Sequence, residues 1–217
     1  MIVALIPAKK LSSRLFGKNK RILKGKPLFQ HSIESAQKSK IIKRVFISSN
    51  DKEILSTAKK LNCELVARPE KISQKKTSMN LVVKHFIEFL EKKKIYPKHI
   101  VLLQPTSPFR QPNIIDRLLL KYLISKKTLV TVKKENIKFL KGIITVRKKN
   151  FPIFTKYFNS NDQELPKYYM PNGSVYIFNV KSFKKNNSIP VKNLTIYEMF
   201  GKYNINIDTL KDLKNAN

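Results

Sequence analysis

Lys9, Lys10, Arg14 and Lys18 follow closely behind an apolar run, Ile2 to Ile6, and the hydroxyls of Ser12 and Ser13 lie between them. Four cations and two hydroxyls after a strand-like run suit a phosphate chain. Its negative charge needs cations, and its oxygens accept hydrogen bonds from hydroxyl and backbone donors. The Gly-rich run ending in Gly-Lys-Ser/Thr is absent, so this is no Walker loop. Three more segments group polar residues at the ends of apolar runs. They are Gln104 to Arg110, then Gln163 to Pro166 with Pro171 to Ile177, and finally Asn206-Ile207-Asp208-Thr209. No Ser/His/Asp or Cys/His set is recognisable, so chemistry here would rest on placing a substrate and neutralising its charge. Cys63 is the single cysteine, which excludes an intramolecular disulfide and a cysteine-rich metal site and leaves a buried spectator thiol. His31 and His85 have no carboxylate or Cys companion in sequence and read as packed or helix-surface residues.

Alternating strands and helices must position these loops. Apolar runs at Ile2–Ile6, Val45–Ser48, Glu64–Ala67, His99–Gln104, Thr128–Lys133, Ser174–Phe178 and Tyr203–Ile207 predict strands. Between them, helical spacing opens near Pro27, after Asp51, after Ser78 (Leu81, Val82, His85, Phe86, Phe89, Leu90), and at Asn113 through Ser125. Thr209 is set to cap a last helix through Ala216. The alternation predicts βα units and a mostly parallel sheet, with ligands beyond the carboxyl ends of the strands. A chain of 217 residues fits one such domain, spanning 1–217. The alternation fails over about 135–170, where Phe139, Phe151, Phe154, Tyr157 and Phe158 suggest an insertion covered by a second subunit in a homodimer.

A net charge of +31 would suit a nucleic-acid partner, but the lysines are scattered through every expected helix and turn. They read as a solvated coat that steers anionic substrates inward, with no specific nucleic acid bound. No run is long enough to span a membrane, and Met1 to Ala8 is too short for a signal-peptide core, so a cytoplasmic location is expected.

The four segments together resemble the acylneuraminate cytidylyltransferase family, the CMP-sialic acid synthetases and their relatives for pseudaminic and legionaminic acids. Ile6-Pro7-Ala8-Lys9-Lys10-Leu11-Ser12-Ser13-Arg14-Leu15-Phe16-Gly17-Lys18-Asn19 is similar to that family's first loop, Ile-Pro-Ala-Arg-Gly-Gly-Ser-Lys-Arg-Leu-Pro-Gly-Lys-Asn. Arg68-Pro69, Leu102-Leu103-Gln104-Pro105-Thr106-Ser107-Pro108-Phe109-Arg110, Asn172-Gly173-Ser174-Val175-Tyr176-Ile177 and Asn206-Ile207-Asp208-Thr209 follow in the family's order. The resemblance implies a three-layer α/β/α nucleotidyltransferase with a Rossmann-like, mostly parallel sheet. It implies transfer of CMP from CTP to a nine-carbon acidic sugar with Mg²⁺ as cofactor. Ala8, Lys9, Ser12, Arg14, Lys18, Asn19, Arg68 and Ser78 would hold the nucleotide, Gln104 and Arg110 the sugar, and Asp208 with Asn206 the metal. Lys9, Lys18 and Asp208 would carry the catalytic charge. Two alternatives stay open: a cytidylyltransferase for the eight-carbon octulosonic acid, whose first loop Ser12-Ser13-Arg14-Leu15 also resembles, and a degenerate homologue that binds nucleotide or RNA without catalysis.

The chain departs from the family at informative places. Lys9-Lys10-Leu11 stands where the family has Arg-Gly-Gly, so a bidentate arginine becomes a point charge and two flexible positions gain side chains. Phe16 replaces a proline, and Asn206 stands where a metal carboxylate is usual.

Overall fold

The computed structural model describes residues 1–12 and 14–216. Ser13, one of the two first-loop hydroxyls, and Asn217 lie outside the described residues. The first strand, β1 (Ile2–Pro7), is buried along its whole length, which is why it is apolar at every position rather than at alternate ones. A small hairpin follows, β2 (Ile22–Leu23) and β3 (Lys26–Pro27), and then α1 (Leu28–Gln37), β4 (Arg44–Ser49), α2 (Lys52–Lys60) and β5 (Glu64–Ala67). Next come α3 (Met79–Lys92), β6 (His99–Leu103), α4 (Ile114–Ser125), β7 (Thr128–Lys134), and the hairpin β8 (Ile143–Val146) and β9 (Lys149–Pro152). The chain ends with β10 (Tyr169–Asn179), α5 (Val180–Asn186), β11 (Leu194–Glu198) and α6 (Leu210–Ala216).

The main sheet has seven strands in the order β11-β7-β10-β6-β1-β4-β5. Pairing is parallel except that β10 runs antiparallel to both β6 and β7. Alternation along each central strand feeds two cores. Ala4, Ile6, Val101 and Leu103 pack with Phe29 and Ile33 of α1, Ile54 of α2 and Leu118 of α4. Val3, Leu5, Ile100 and Leu102 pack on the other face with Phe86 and Leu90 of α3 and Phe183 of α5. The architecture is therefore three-layered, as expected. Asp51 and Ser78 cap α2 and α3 as the sequence predicts, accepting bonds from Glu53 N and Ile54 N and from Leu81 N respectively. Thr209 Oγ1 likewise accepts from Asp212 N at the start of α6.

Two segments differ from the sequence-based expectation. Tyr203–Ile207 is not a strand: Gly201–Asn204 forms a 3₁₀ turn, and residues 205–208 run as a strap outside the sheet. The seventh strand is β11, which lies parallel to β7 at the sheet edge. Within 135–170 the chain forms the β8–β9 hairpin, separate from the main sheet, with Ile143, Ile144, Val146, Phe151, Phe154 and Phe158 exposed.

Candidate nucleotide site

A third, smaller apolar cluster assembles the site. Leu15 of the first loop packs with Leu23, Leu28 and Leu213, and with Ile207 of the strap, which is fully buried. Burying one such side chain is worth about 1.5–3 kcal/mol, enough to hold a strap that has no sheet partner. A backbone bond from Ile207 N to Thr106 O, 2.7 Å, fixes the strap against the turn after β6. With Leu15 and Ile207 in contact, their polar neighbours meet. Lys18 Nζ lies 2.7 Å from Asp208 Oδ1, and an Arg14 nitrogen lies 3.0 Å from Asp208 Oδ2. Asn206 Nδ2 donates to the same Oδ2 at 2.9 Å.

The first loop is pinned at both ends. Ala8 N bonds Ser48 O on the neighbouring strand, and the Asn19 side chain donates to Lys9 O at 2.7 Å. Neither Lys10 nor Leu11 adopts a positive φ, so side chains in place of the family's two glycines need no strained backbone here. Leu11 instead stands largely in solvent.

The loops beyond β1, β5 and β6 enclose one cleft. Lys9, Ser12, Lys18, Asn19, Arg68 and Gln104 all line it, although they are scattered over ninety-odd residues of chain. Ile72, Met79 and Val82 supply an apolar wall that sequence reasoning did not assign to a ligand, because Val82 reads equally well as part of the α3 core stripe. The electrostatics are lopsided. Arg68 is buried, its Nε donates to Ser73 Oγ at 3.2 Å, and its Nη2 is enclosed without a partner. Burial lowers its pKa to about 10, against a smaller opposing effect of Glu70, so it stays cationic at neutral pH. Lys9 is held below the usual lysine range, first by burial and then by the charges of Arg68 and Lys18. Three cations thus converge on a cleft whose described lining holds no carboxylate, and the acidic groups stand at its edges, Asp208 paired with Lys18 and Glu70 acting on Arg68. Such a cleft is built to receive a polyanion.

Other expected site residues lie elsewhere. Ala8 is buried beneath the loop, between the cleft-lining Pro7 and Lys9. Arg14 is exposed and reaches the cleft only through Asp208. Ser78 is occupied as the α3 cap, between the cleft residues Thr77 and Met79. Arg110 turns away from the cleft. Its Nη1 donates to Ser32 Oγ at 3.1 Å, and its Nη2 donates to Gln104 O at 3.1 Å and Ser174 O at 2.9 Å. Lacking a carboxylate partner, the guanidinium is pulled by burial to about 9. It clamps α1, the turn after β6 and β10 together.

Among the described residues no group of three or more His, Cys, Asp or Glu could hold a metal ion. The donor set of the cleft still suits Mg²⁺. That ion typically takes one or two carboxylates and completes its shell with water and substrate phosphate, and Asp208 is one carboxylate at the edge of a cationic cleft.

Known proteins resemble the chain over nearly its whole length. A family model described as cytidylyltransferase matches residues 3–199. The chain is 30% identical to the CMP-N,N'-diacetyllegionaminic acid synthase of Legionella pneumophila, covering 96% of this chain and 91% of that protein. It is 26% identical to the pseudaminic acid cytidylyltransferase of Campylobacter jejuni, covering 99% and 94%. A solved CMP:2-keto-3-deoxy-manno-octonic acid synthetase in complex with CTP has the same fold, with a TM-score of 0.72 at 16% identity over 99% of this chain and 95% of that one.

Proposed function

This chain belongs to the cytidylyltransferase family, and from that premise we propose that it transfers CMP from CTP to a nine-carbon, sialic-acid-like sugar such as a legionaminic or pseudaminic acid. The anomeric hydroxyl of the sugar attacks the α-phosphorus of CTP in line, the bond to the β-phosphate oxygen breaks, and pyrophosphate leaves with the hydroxyl proton lost to solvent. No covalent enzyme intermediate is involved. The observation that carries the reading is the convergence of Lys9, Lys18 and Arg68 on one cleft whose described lining holds no carboxylate. In a transfer of this kind, catalysis consists of placing the phosphates and neutralising the charge that moves to the leaving group.

In this reading Lys9 and Arg68 hold the phosphates from the β1 and β5 sides, and Ser12 donates to a phosphate oxygen. The apolar wall of Ile72, Met79 and Val82 packs the nucleoside, and Gln104 faces the acceptor. Lys18 exchanges its partner Asp208 for a phosphate oxygen when the nucleotide enters. Asp208, with the Asn206 carbonyl beside it, would then hold Mg²⁺, which supplies further neutralisation of phosphate charge when bound. Similarity over nearly the whole chain to enzymes for nine-carbon acids favours those acceptors over the eight-carbon octulosonic acid, whose cytidylyltransferase matches at 44% identity over only 55 residues, 25% of this chain. The exposed apolar hairpin supports a homodimer, and the reading places the protein in the cytoplasm with CTP. No helix among the described residues is long and apolar enough to cross a membrane.

The deciding experiment is pyrophosphate release from CTP with neuraminic, legionaminic, pseudaminic and octulosonic acids in turn. Release with CTP and a nine-carbon acid is expected. Turnover with ATP or GTP but not CTP overturns the reading. Acceptance of the eight-carbon acid alone identifies the octulosonate enzyme, and nucleotide binding without turnover identifies a non-catalytic homologue.

A further inference from the structure

We propose that Asn172 is a positioning residue that braces the acceptor end of the cleft against the strap carrying Asp208. The brace itself is read from the geometry, and its effect on turnover rests on the cytidylyl-transfer reading above.

Asn172 sits in the irregular part of β10, between Pro171 and Tyr176, where the register with β7 shifts. It is 5% exposed, and its carbonyl and both side-chain polar atoms are bonded. Its carbonyl accepts from Ser107 Oγ at 3.0 Å. Its Oδ1 accepts from Thr131 Oγ1 at 2.7 Å and from Ser174 N at 3.1 Å. Its Nδ2 donates to Asn204 Oδ1 at 3.0 Å. Because the Ser174 N–H can only donate, it fixes which end of the amide faces which neighbour. Asn204 in turn donates to Met199 O and closes the 3₁₀ turn that leads into the strap. Two residues after the start of that strap, Ile207 N returns to Thr106 O at 2.7 Å. Ser107, Asn172, Asn204, Ile207 and Thr106 therefore form a closed circuit.

The two groups that matter to the reaction hang from opposite sides of this circuit. Gln104 lies on one side. Gly173, with φ +77, brings bare backbone so close that an added Cβ would sit 3.3 Å from Gln104 Oε1 and 3.4 Å from Ser107 Oγ. Asp208, bonded to Lys18, lies on the other. Asparagine is the side chain that fits the hub, since one face must accept and the other must donate. Aspartate has the same shape but turns an acceptor toward Asn204 Oδ1, and a half-satisfied buried network is costly.

The test uses Asn172→Asp and, in case a buried carboxylate impairs folding, Asn204→Ala, which cuts only the strap side. Turnover with CTP and the preferred acid should fall about tenfold to a hundredfold, the scale of a small misplacement of reacting groups. The Kd for CTP without Mg²⁺ should stay within about twofold, because Lys9, Ser12 and Arg68 bind from loops outside the circuit. Amide exchange at Ile207 should quicken by about tenfold while the amides of β1 and α3 keep their protection. Unchanged turnover with unchanged Ile207 exchange overturns the proposal. Loss of protection across the whole sheet overturns it too, because the role is then general stability. If the wild type turns over no nonulosonic acid, the functional reading fails, and the exchange measurement alone decides whether the brace exists.

Discussion

Replacing Arg68 with methionine should make the empty protein more stable and its response to CTP weaker. Burial takes the Arg68 pKa from the ordinary guanidinium range down to about 10. At roughly 1.4 kcal/mol per tenfold change in proton affinity, that amounts to about 3 kcal/mol of destabilisation. A cation whose pKa falls on folding costs stability at every pH below its folded value, here below about 10, and the cost fades as pH rises from there toward the ordinary guanidinium value. At neutral pH it is present in full. Methionine removes this cost, and the Ser73 hydroxyl that loses Arg68 keeps its bond to Pro69 O at 3.0 Å. Replacing a buried charge with an apolar side chain of similar length should return about 1–3 kcal/mol, or about 2–10 °C in Tm for a chain of this size. CTP at a hundred times its Kd stabilises the wild type by about 2.7 kcal/mol. Loss of one charged hydrogen-bond donor, about 2 kcal/mol, raises Kd about thirtyfold and leaves about 0.8 kcal/mol of stabilisation at the same CTP concentration. Thermal unfolding with and without CTP measures both effects. A variant that is less stable when empty, or that keeps the full CTP shift, refutes the assignment of Arg68 as a cation held in reserve for the nucleotide.

Asp208→Ala is expected to abolish turnover with Tm changed by a few degrees at most, since the carboxylate is at the cleft edge and Ile207 anchors the strap; activity with unchanged Mg²⁺ dependence would remove the metal site. Asn206→Asp should lower the Mg²⁺ concentration for half-maximal rate, read from rate against Mg²⁺ at saturating CTP. Phe154→Asp combined with Phe158→Asp should convert a dimer to a monomer in light scattering, and a monomeric wild type refutes the interface. Cys63 is buried with its thiol pushed up to about 12 by desolvation, so it should react with a thiol reagent at pH 8 only on unfolding; prompt modification of folded protein contradicts this.

What could be read from the sequence depended on whether a residue's surroundings are local. The run at β1 is apolar throughout, and that at β6 beyond His99, because both faces are covered, and Asp51 and Ser78 announce helix starts through bonds that span two or three residues. Lys9, Lys18 and Gln104 could be gathered because each lies beyond a strand end, and a parallel sheet delivers its strand ends to one side, whereas Arg68 was implied by the family resemblance alone. The β8–β9 hairpin escaped because its two-residue turn is Arg147-Lys148, both at positive φ, where Asn-Gly or Asp-Gly is the usual signal. Arg110 was misdirected for a different reason. A guanidinium behind a strand end looks like a ligand group, and the carbonyls that capture it, of Gln104 and Ser174, are marked by nothing in their side chains.

The strap shows where a correct pattern led to a wrong element. Asn206 and Asp208 were expected to share one face, with Ile207 turned inward, because a strand alternates its side chains. The alternation holds: Ile207 is fully buried while Asn206 is exposed and bonded to Asp208. No sheet is involved, since alternation comes from extended backbone and needs no pairing partner. What fixes the register is the contact of Ile207 with Leu15 and the single bond to Thr106 O. That difference bears on function. A carboxylate on a sheet strand would be fixed by a ladder of bonds, whereas the Asp208 backbone is held by the burial of Ile207, the bond from Ile207 N to Thr106 O, its own N–H to Asp212 Oδ2 and the brace at Asn204, and its carboxylate by the Asn206 amide and the ion pairs with Lys18 and Arg14. A triphosphate that took Lys18 would therefore release the Asp208 carboxylate while the backbone bonds keep the strap in place, as a residue requires if it pairs with a lysine in the empty cleft and serves the nucleotide in the filled one.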